Sequence, residues 1–381
     1  MTDVHDVQDT TSPPGAADTS GAADPAVAAA GHGPLLPAAT AETLAETALT
    51  RAGLTADDAR SVAQALTETS LRGIDTHGLR LLPQYLDELA AGIATARPEI
   101  RTVRDTGAAV MLDAGGALGV VAGLTAARIA AERARTHGVA AVGVRNSNHF
   151  GAASVYSRHL AREGLVGIVT TSAASRVAPF SGTEPLYGTN PLSFAAAVED
   201  DEFALDMATS QVCFGEIKER RKHGRALDAG WATDTEGRPA TDPEQAYALS
   251  PLGGYKGQGL AMVATLLGAV LTGSPPDWEL EHIGSSTPGR SRGIGHLVVC
   301  LDPAAFAGSA PFASGLRNML DTTRGARPGA DAGQPVQVPG DPQRRIAGER
   351  GEQGIPLDPH TAQAFAALAA EQGVGWPGVP A

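Results

Sequence analysis

The sequence predicts an α/β fold with a covered, partly parallel sheet. Short apolar stretches of strand length alternate with longer helical patterns along most of the chain, and several of those stretches run directly into clusters of polar residues. A fully apolar strand is covered on both faces, and the end of such a strand is where an open α/β sheet keeps its ligands.

Residues 1 to about 35 are rich in Ala, Gly, Pro, Asp and Thr, with no large apolar side chain between Val27 and Leu35. They cannot bury enough surface to offset the entropy of ordering, so a disordered tail is expected. Folded structure starts near Pro37. Thr55 followed by Asp57 and Asp58 reads as an N-cap with two carboxylates facing the helix dipole, and the helix runs toward Ser70. After a motif at Arg72 to Tyr85, another helix ends near Gly92. Ala108 to Leu112 reads as a strand, and Gly115, Gly116 and Gly119 as a turn. Val120 to Arg135 is an Ala-rich helix that Gly138 ends. Val139 to Val144 is a wholly apolar strand, Gly151 to Arg162 a helix, and Leu165 to Thr171 a strand. Leu192 to Val198, Phe203 to Leu205 and Leu297 to Leu301 add strands. Gly259 to Gly273 reads as a buried part of a helix over Gly257 to Leu271. Ala326 to Gly340 is a Pro/Gly-rich connection, and Pro359 to Gln372 a final amphipathic helix.

Hydrophobic residues make up 43% of the chain and charged residues 19%, an ordinary globular balance; the formal net charge of −13 disfavours nucleic acid and anionic membrane surfaces as partners. No apolar run reaches the roughly 18 residues that a bilayer span needs. The two cysteines, Cys213 and Cys300, are far apart, and the N-terminus does not read as a signal peptide, so a reducing, cytoplasmic location is expected. No Gly-x-Gly-x-x-Gly opens a helix after a strand, which disfavours an ordinary Rossmann domain. The absence of a close His/Cys/carboxylate cluster leaves no metal site to expect, and a missing Gly-x-Ser-x-Gly weakens a hydrolase reading.

Three polar clusters follow apolar strands: Asn146 to His149, Thr170 to Ser172, and Asp206 to Thr209. Together they suggest one crevice. Leu252-Gly-Gly-Tyr-Lys-Gly257 precedes an apolar helix; its glycines admit a close ligand, its amides attract an anion and Lys256 adds charge, so it suits a diphosphate, though an ordinary loop lysine has the same pattern. Arg72 to Tyr85 places Thr76 beside His77, with Arg80 and Tyr85 one or two turns on. That set suits carbonyl reduction: an imidazole gives a proton to oxygen, a hydroxyl orients it and a cation anchors a carboxylate. A His capping a helix and an Arg on its wet face would look the same.

In order and at these intervals, Thr76-His77-Gly78, Asn146-Ser-Asn-His-Phe-Gly151, Gly188-Thr-Asn-Pro191, Asp206-Met-Ala-Thr-Ser210, Gly253-Gly-Tyr-Lys-Gly257 and Pro339-Gly-Asp341 resemble the malate/L-lactate dehydrogenase family. That family includes sulfolactate and ureidoglycolate dehydrogenases, diketogulonate reductase and cyclic imino-acid reductases. The resemblance spans about Pro37 to Gly375. It implies the malate/L-lactate (L-sulfolactate) dehydrogenase-like fold, with a non-Rossmann cofactor domain and flanking helical segments. In this chain that means a substrate and dimerisation part from 36–115 with 290–381, an NAD(P)-binding part from 116–289, and a homodimer. The resemblance puts the proton donor at His77, with His149 as the rival in some members, and cofactor contacts at His149, Phe150, Gly151, Thr171, Asp206, Met207, Ala208, Lys256 and Gly257. Arg80, Tyr85 and Asn190 are expected to line the substrate pocket.

Four positions depart from the family pattern. Thr76 stands where Ser is usual, Ser181 where Gly is usual and Asp341 where Glu is usual. Leu81 stands where many members carry a substrate-binding Arg; Arg80 is one residue earlier, turned about 100° on a helix. The reading that follows is hydride transfer between NAD or NADP and C2 of a small 2-oxo/2-hydroxy acid, a small carboxylate. The alternatives are reduction of a cyclic imino acid and an inactive cofactor-binding relative. A chain that begins near Leu35 is expected to keep its activity and its cooperative melt; calorimetry and turnover of the shortened protein check this.

Overall fold

The computed structural model describes residues 34–330 and 332–376. The expected tail lies outside them except for Pro34 and Leu35. A two-residue strand β1 (Leu35–Leu36) leads into helices α1 (Ala38–Arg51) and α2 (Ala56–Leu71). Thr55 caps α2 as expected, its hydroxyl accepting from the Asp58 N–H at 3.2 Å. Two short 3₁₀ turns carry Asp75–His77 and Leu79–Leu81, and α3 (Leu82–Ala90) follows. Next come β2 (Arg101–Asp105), β3 (Ala109–Asp113), α4 (Gly119–His137, with Gly138 as C-cap), β4 (Val139–Ser147), α5 (Ser154–Arg162), β5 (Val166–Thr171), β6 (Leu192–Val198) and β7 (Asp201–Met207).

The chain then forms α6 (Phe214–Lys222) and a small sheet of β8 (Ala232–Thr233), β9 (Pro239–Ala240) and β10 (Ala248–Leu249). Helix α7 (Tyr255–Thr265) continues through a π turn at Leu266–Val270, and β11 (Ile294–Leu301) returns to the large sheet. The C-terminal part is α8 (Ser309–Arg324), α9 (Asp341–Gln353), β12 (Ile355–Pro356) and α10 (Pro359–Gln372).

The seven-stranded sheet has the order β2-β3-β4-β11-β5-β6-β7. Only β3 and β4 pair in parallel; every other pair is antiparallel. The sheet is therefore less parallel than the alternating sequence pattern suggested, because β11 enters from far along the chain and β6–β7 is a hairpin. The strands β4, β5 and β7 nevertheless run the same way, with β11 and β6 reversed between them. Their C-terminal ends lie along one sheet edge, which is what the three polar clusters required.

Ala126, Ala127, Ala130, Ala131 and Ala134 of α4 pack in one core with Val142, Val144, Val169 and Val298 of the sheet. Small side chains let the helix come close to the strands while still removing apolar surface from water. A second core joins the two chain ends: Leu36, Leu44, Leu49, Leu66, Leu82 and Tyr85 pack with Ile355 and Phe365. The expected division at 115/116 and 289/290 does not follow the sheet, since β3 and β11 pair with strands of the intervening segment.

The segment Gly259 to Gly273 differs from the buried helix expected of it. Ala261, Ala264, Thr265, Gly268 and Ala269 face inward, while Leu260, Met262, Val263, Leu266, Val270 and Leu271 are exposed. Phe180, Tyr255, Trp278 and Ile283 are exposed in the flanking segments. An apolar run reports burial only when both faces are covered, and here one face is bare. Among the described residues no helix is long and apolar enough to cross a membrane.

Candidate active site

The Thr76-His77-Gly78 turn is pinned from two sides. Gly78 is required by close approach: a Cβ there would sit 2.1 Å from the Ser70 hydroxyl at the end of α2. That hydroxyl accepts from the Leu79 N–H at 2.9 Å. From the other side Arg350 of α9 grips Asp75 in a two-pronged ion pair, at 2.6 and 2.9 Å. Within the turn the Thr76 hydroxyl meets His77 Nδ1 at 2.9 Å.

His149 arrives from the end of β4 and faces His77, with ring centroids 5.8 Å apart and planes inclined by 28°. The two histidines that the family resemblance sets as rivals are therefore neighbours. Tyr85 of α3, fully buried, places its hydroxyl 3.0 Å from His149 Nδ1, and the Gly151 N–H points at the same nitrogen at 3.4 Å. A Cβ on Gly151 would lie 3.6 Å from the His77 carbonyl oxygen and 3.7 Å from the Tyr85 hydroxyl, so Thr76, His77, Tyr85, His149 and Gly151 form one cluster.

Desolvation governs its electrostatics. Burial raises the Tyr85 phenol pKa and so keeps it protonated and able to donate. Burial lowers the His77 pKa below the usual imidazole value. His149 lies further below, through burial first and then through His77, Arg292 and His296. With two donors aimed at Nδ1, neutral His149 carries its proton on Nε2.

Behind this cluster lies a buried scaffold. Phe150 is core, stacked on His296 at 4.6 Å and on Tyr156 at 4.7 Å, and its carbonyl accepts from the Tyr156 hydroxyl, so its side chain is not free for a ligand. Thr171 is spent on His296 Nδ1 at 2.7 Å, and His296 Nε2 meets the Ser147 hydroxyl at 2.9 Å. Asp206 accepts from the Ser154 N–H at 2.7 Å, at the start of α5; burial raises its pKa. Met207 and Ala208 are half-buried beyond it.

The Ser210–Pro251 bridge and the Leu252 N–H to Thr209 carbonyl bond at 2.9 Å join this loop to the one before α7. There Gly253 and Gly254 have φ of 59° and 71°, a region that favours glycine. Gly257 is forced, since a Cβ would meet the Leu252 carbonyl oxygen at 2.1 Å. Lys256 is exposed at the first turn of α7, which has no side-chain cap.

Two expected residues sit elsewhere. Asn190 is fully buried and saturated: its amide donates to Ala261 O, Thr265 Oγ1 and Asp277 Oδ2, and its oxygen accepts from the Ala173 N–H. It ties α7 to the sheet edge. Arg80 reaches α6, where it pairs with Glu219 at 3.2 Å. The sequence reading missed Asp277, the carboxylate at the centre of that knot, and two ion networks, one buried and one running from the interior to the surface. One is Arg292–Glu88 at 2.9 Å; the other joins Arg72 and Arg158 to Glu202, and Arg158 and Arg162 to Glu68. All three pair residues far apart in sequence, and no local pattern announces them.

The malate/L-lactate dehydrogenase family model matches residues 36–366. The (2R)-3-sulfolactate dehydrogenase (NADP(+)) of Chromohalobacter salexigens is 38% identical over 270 residues, covering 70% of this chain and 80% of its own. Ureidoglycolate dehydrogenase (NAD(+)) of Escherichia coli O157:H7 is 34% identical over 305 residues, 80% of this chain and 87% of its own. Among solved structures, sulfolactate dehydrogenase from Methanocaldococcus jannaschii superposes with a TM-score of 0.83 at 29% identity, covering 90% of this chain and 98% of that one.

Proposed function

The chain belongs to the malate/L-lactate dehydrogenase family, and on that premise we propose that it moves hydride between NAD or NADP and C2 of a small 2-oxo/2-hydroxy acid, with His77 and His149 handling the proton. The observation that carries this reading is the facing pair of imidazoles, each with Nδ1 held by a hydroxyl.

The chain's residues fit a dinucleotide. The uncapped first turn of α7 presents its N–H groups beside exposed Lys256, and the left-handed Gly253-Gly254 loop admits close approach; both suit a diphosphate. Bound reduced nicotinamide supplies the hydride. His149 presents Nε2–H as a fixed neutral donor toward the substrate oxygen, since protonating Nδ1 would oppose the Gly151 N–H. His77 holds the proton that is given up. The hydroxyl of Thr76 accepts from Nδ1–H or donates to bare Nδ1, so it supports either state.

Coupling makes the apparent pKa a property of the pair, and both shifts are downward. Reduction needs the acid protonated, so its rate should be high at low pH and fall as pH rises through a midpoint below the usual imidazole value. His77→Ala should cut turnover by about 10²–10⁴-fold and abolish that limb, while reduced cofactor still protects the protein from heat. His149→Ala should lose turnover and keep the limb. A His77→Ala enzyme that retains the limb overturns the assignment. Thr76→Ser should be mild and Thr76→Val worse.

Lys256 pairs with phosphate in ground and transition states alike. Lys256→Ala should therefore raise the cofactor Kd much more than it lowers kcat at saturating cofactor, as titration calorimetry beside steady-state kinetics will show.

The functional unit is a homodimer whose partner covers the bare face of α7. Leu266, Val270 and Leu271 are 54%, 61% and 63% exposed there, too large an apolar surface to leave to water. Leu266→Glu with Val270→Glu should convert dimer to monomer in sedimentation equilibrium. The protein is cytoplasmic in this reading: Cys213 and Cys300 are unpaired, and burial raises both thiol pKa values, that of Cys300 to about 12.

A further inference from the structure

The substrate carboxylate needs a cation, and the two positions nearest the motif do not provide one. Leu81 is packed into the helical core, and Arg80 is committed to Glu219. Two other cations approach the Thr76–His77 turn through the first turn of α6. The backbone of Gly215 lies against Thr76, where a Cβ would sit 3.1 Å from the threonine methyl. Phe214 precedes it. The Arg176 guanidinium lies over the Phe214 ring, 4.1 Å from its centroid, and the Lys218 ammonium is 5.5 Å from the same centroid. Arg176 belongs to the segment leaving β5, at the sheet edge where the polar clusters converge.

Both cations lack the counter-charge that the buried arginines around the site have. Arg72, Arg158 and Arg292 each meet a carboxylate, as do Arg220 and Arg221 on α6 itself. Among the described residues neither Arg176 nor Lys218 has a carboxylate within ion-pair distance. Burial lowers the pKa of Arg176; burial and then the charge of Arg176 lower that of Lys218. Two like charges held near one ring repel, and an anion that pairs with them removes the penalty.

We propose that Arg176, assisted by Lys218, binds the substrate's carboxylate in place of the arginine absent at position 81. The assignment rests on the hydride-transfer reading above. The planar fork of Arg176 takes a carboxylate through two parallel hydrogen bonds and so orients C2, while Lys218 acts as a point charge at the rim. The Phe214 ring holds the guanidinium in place before the substrate arrives.

The test uses the full chain, saturating reduced cofactor, and a panel of 2-oxo acids, their 2-oxo amides and a cyclic imino acid. Arg176→Met should raise the KM for the acids by about 10- to 100-fold and collapse the acid-over-amide preference in kcat/KM. Cofactor KM and melting temperature should hold. Arg176→Lys should recover part of the loss, and Lys218→Met should cost less and fade with added salt. An Arg176→Met enzyme that keeps its acid-over-amide preference, or that loses acid and amide turnover equally with a lower melting temperature, assigns Arg176 to holding α6 and overturns the proposal alone. Wild-type protein that binds reduced cofactor but reduces no acid of the panel overturns the functional reading and the proposal together.

Discussion

The central strand, β11, runs against both of its neighbours and lies between β4 and β5. His296 sits near its start, fully buried, with one ring nitrogen on Thr171 of β5 and the other on Ser147 of β4. Burial lowers its pKa to about 3, so the ring stays neutral and can accept on one side while donating on the other. Phe150 stacks on that ring at 4.6 Å, and Phe150 follows His149 directly. The position of the candidate proton-handling residue is thus inherited from a strand contributed by a distant part of the chain.

Around this seam the structure spends buried charge to join elements that share no strand pairing. The Arg292–Glu88 pair ties the segment before β11 to α3, which carries Tyr85. The Arg72–Glu202–Arg158 network ties the end of α2, just before the Thr76-His77 turn, to β7 and α5. Desolvating such charges is costly, and removing one partner typically costs about 3–5 kcal/mol because the other remains buried alone. Both networks end next to the residues that meet at the site, so their geometric role matters more than their net contribution to stability.

Burial also distinguishes the two histidines. His149 is surrounded by donors and lies closer to Arg292 and His296, and it is driven further from protonation than His77. Charging two neighbouring imidazoles at once is unfavourable, and His77 adds to the lowering at His149. On the opposite side of the Thr76 turn, α6 brings unpaired positive charge close, leaving an acidic protein with a locally basic approach.

Much of this was legible in the sequence because it is local. The strands Leu192–Val198 and Val166–Thr171, the Thr55 cap, the Gly138 stop and the helix Pro359–Gln372 follow from side-chain size, capping chemistry and periodicity within a few residues. The strain at Ser181, with φ of 65° where the family has glycine, was visible as a departure without its cause. Strand direction was not legible, nor was the bare face of α7, because an apolar residue does not state what covers it. Asn190 and Thr171 looked like ligand contacts, as polar residues at strand ends do; their partners, Asp277 and His296, lie 87 and 125 residues away. The sequence by itself determined the elements and the chemistry of each cluster. Only the tertiary structure decided which polar groups spend their hydrogen bonds on the protein and which keep them for a ligand, since that depends on pairings across the chain that no local energy term encodes.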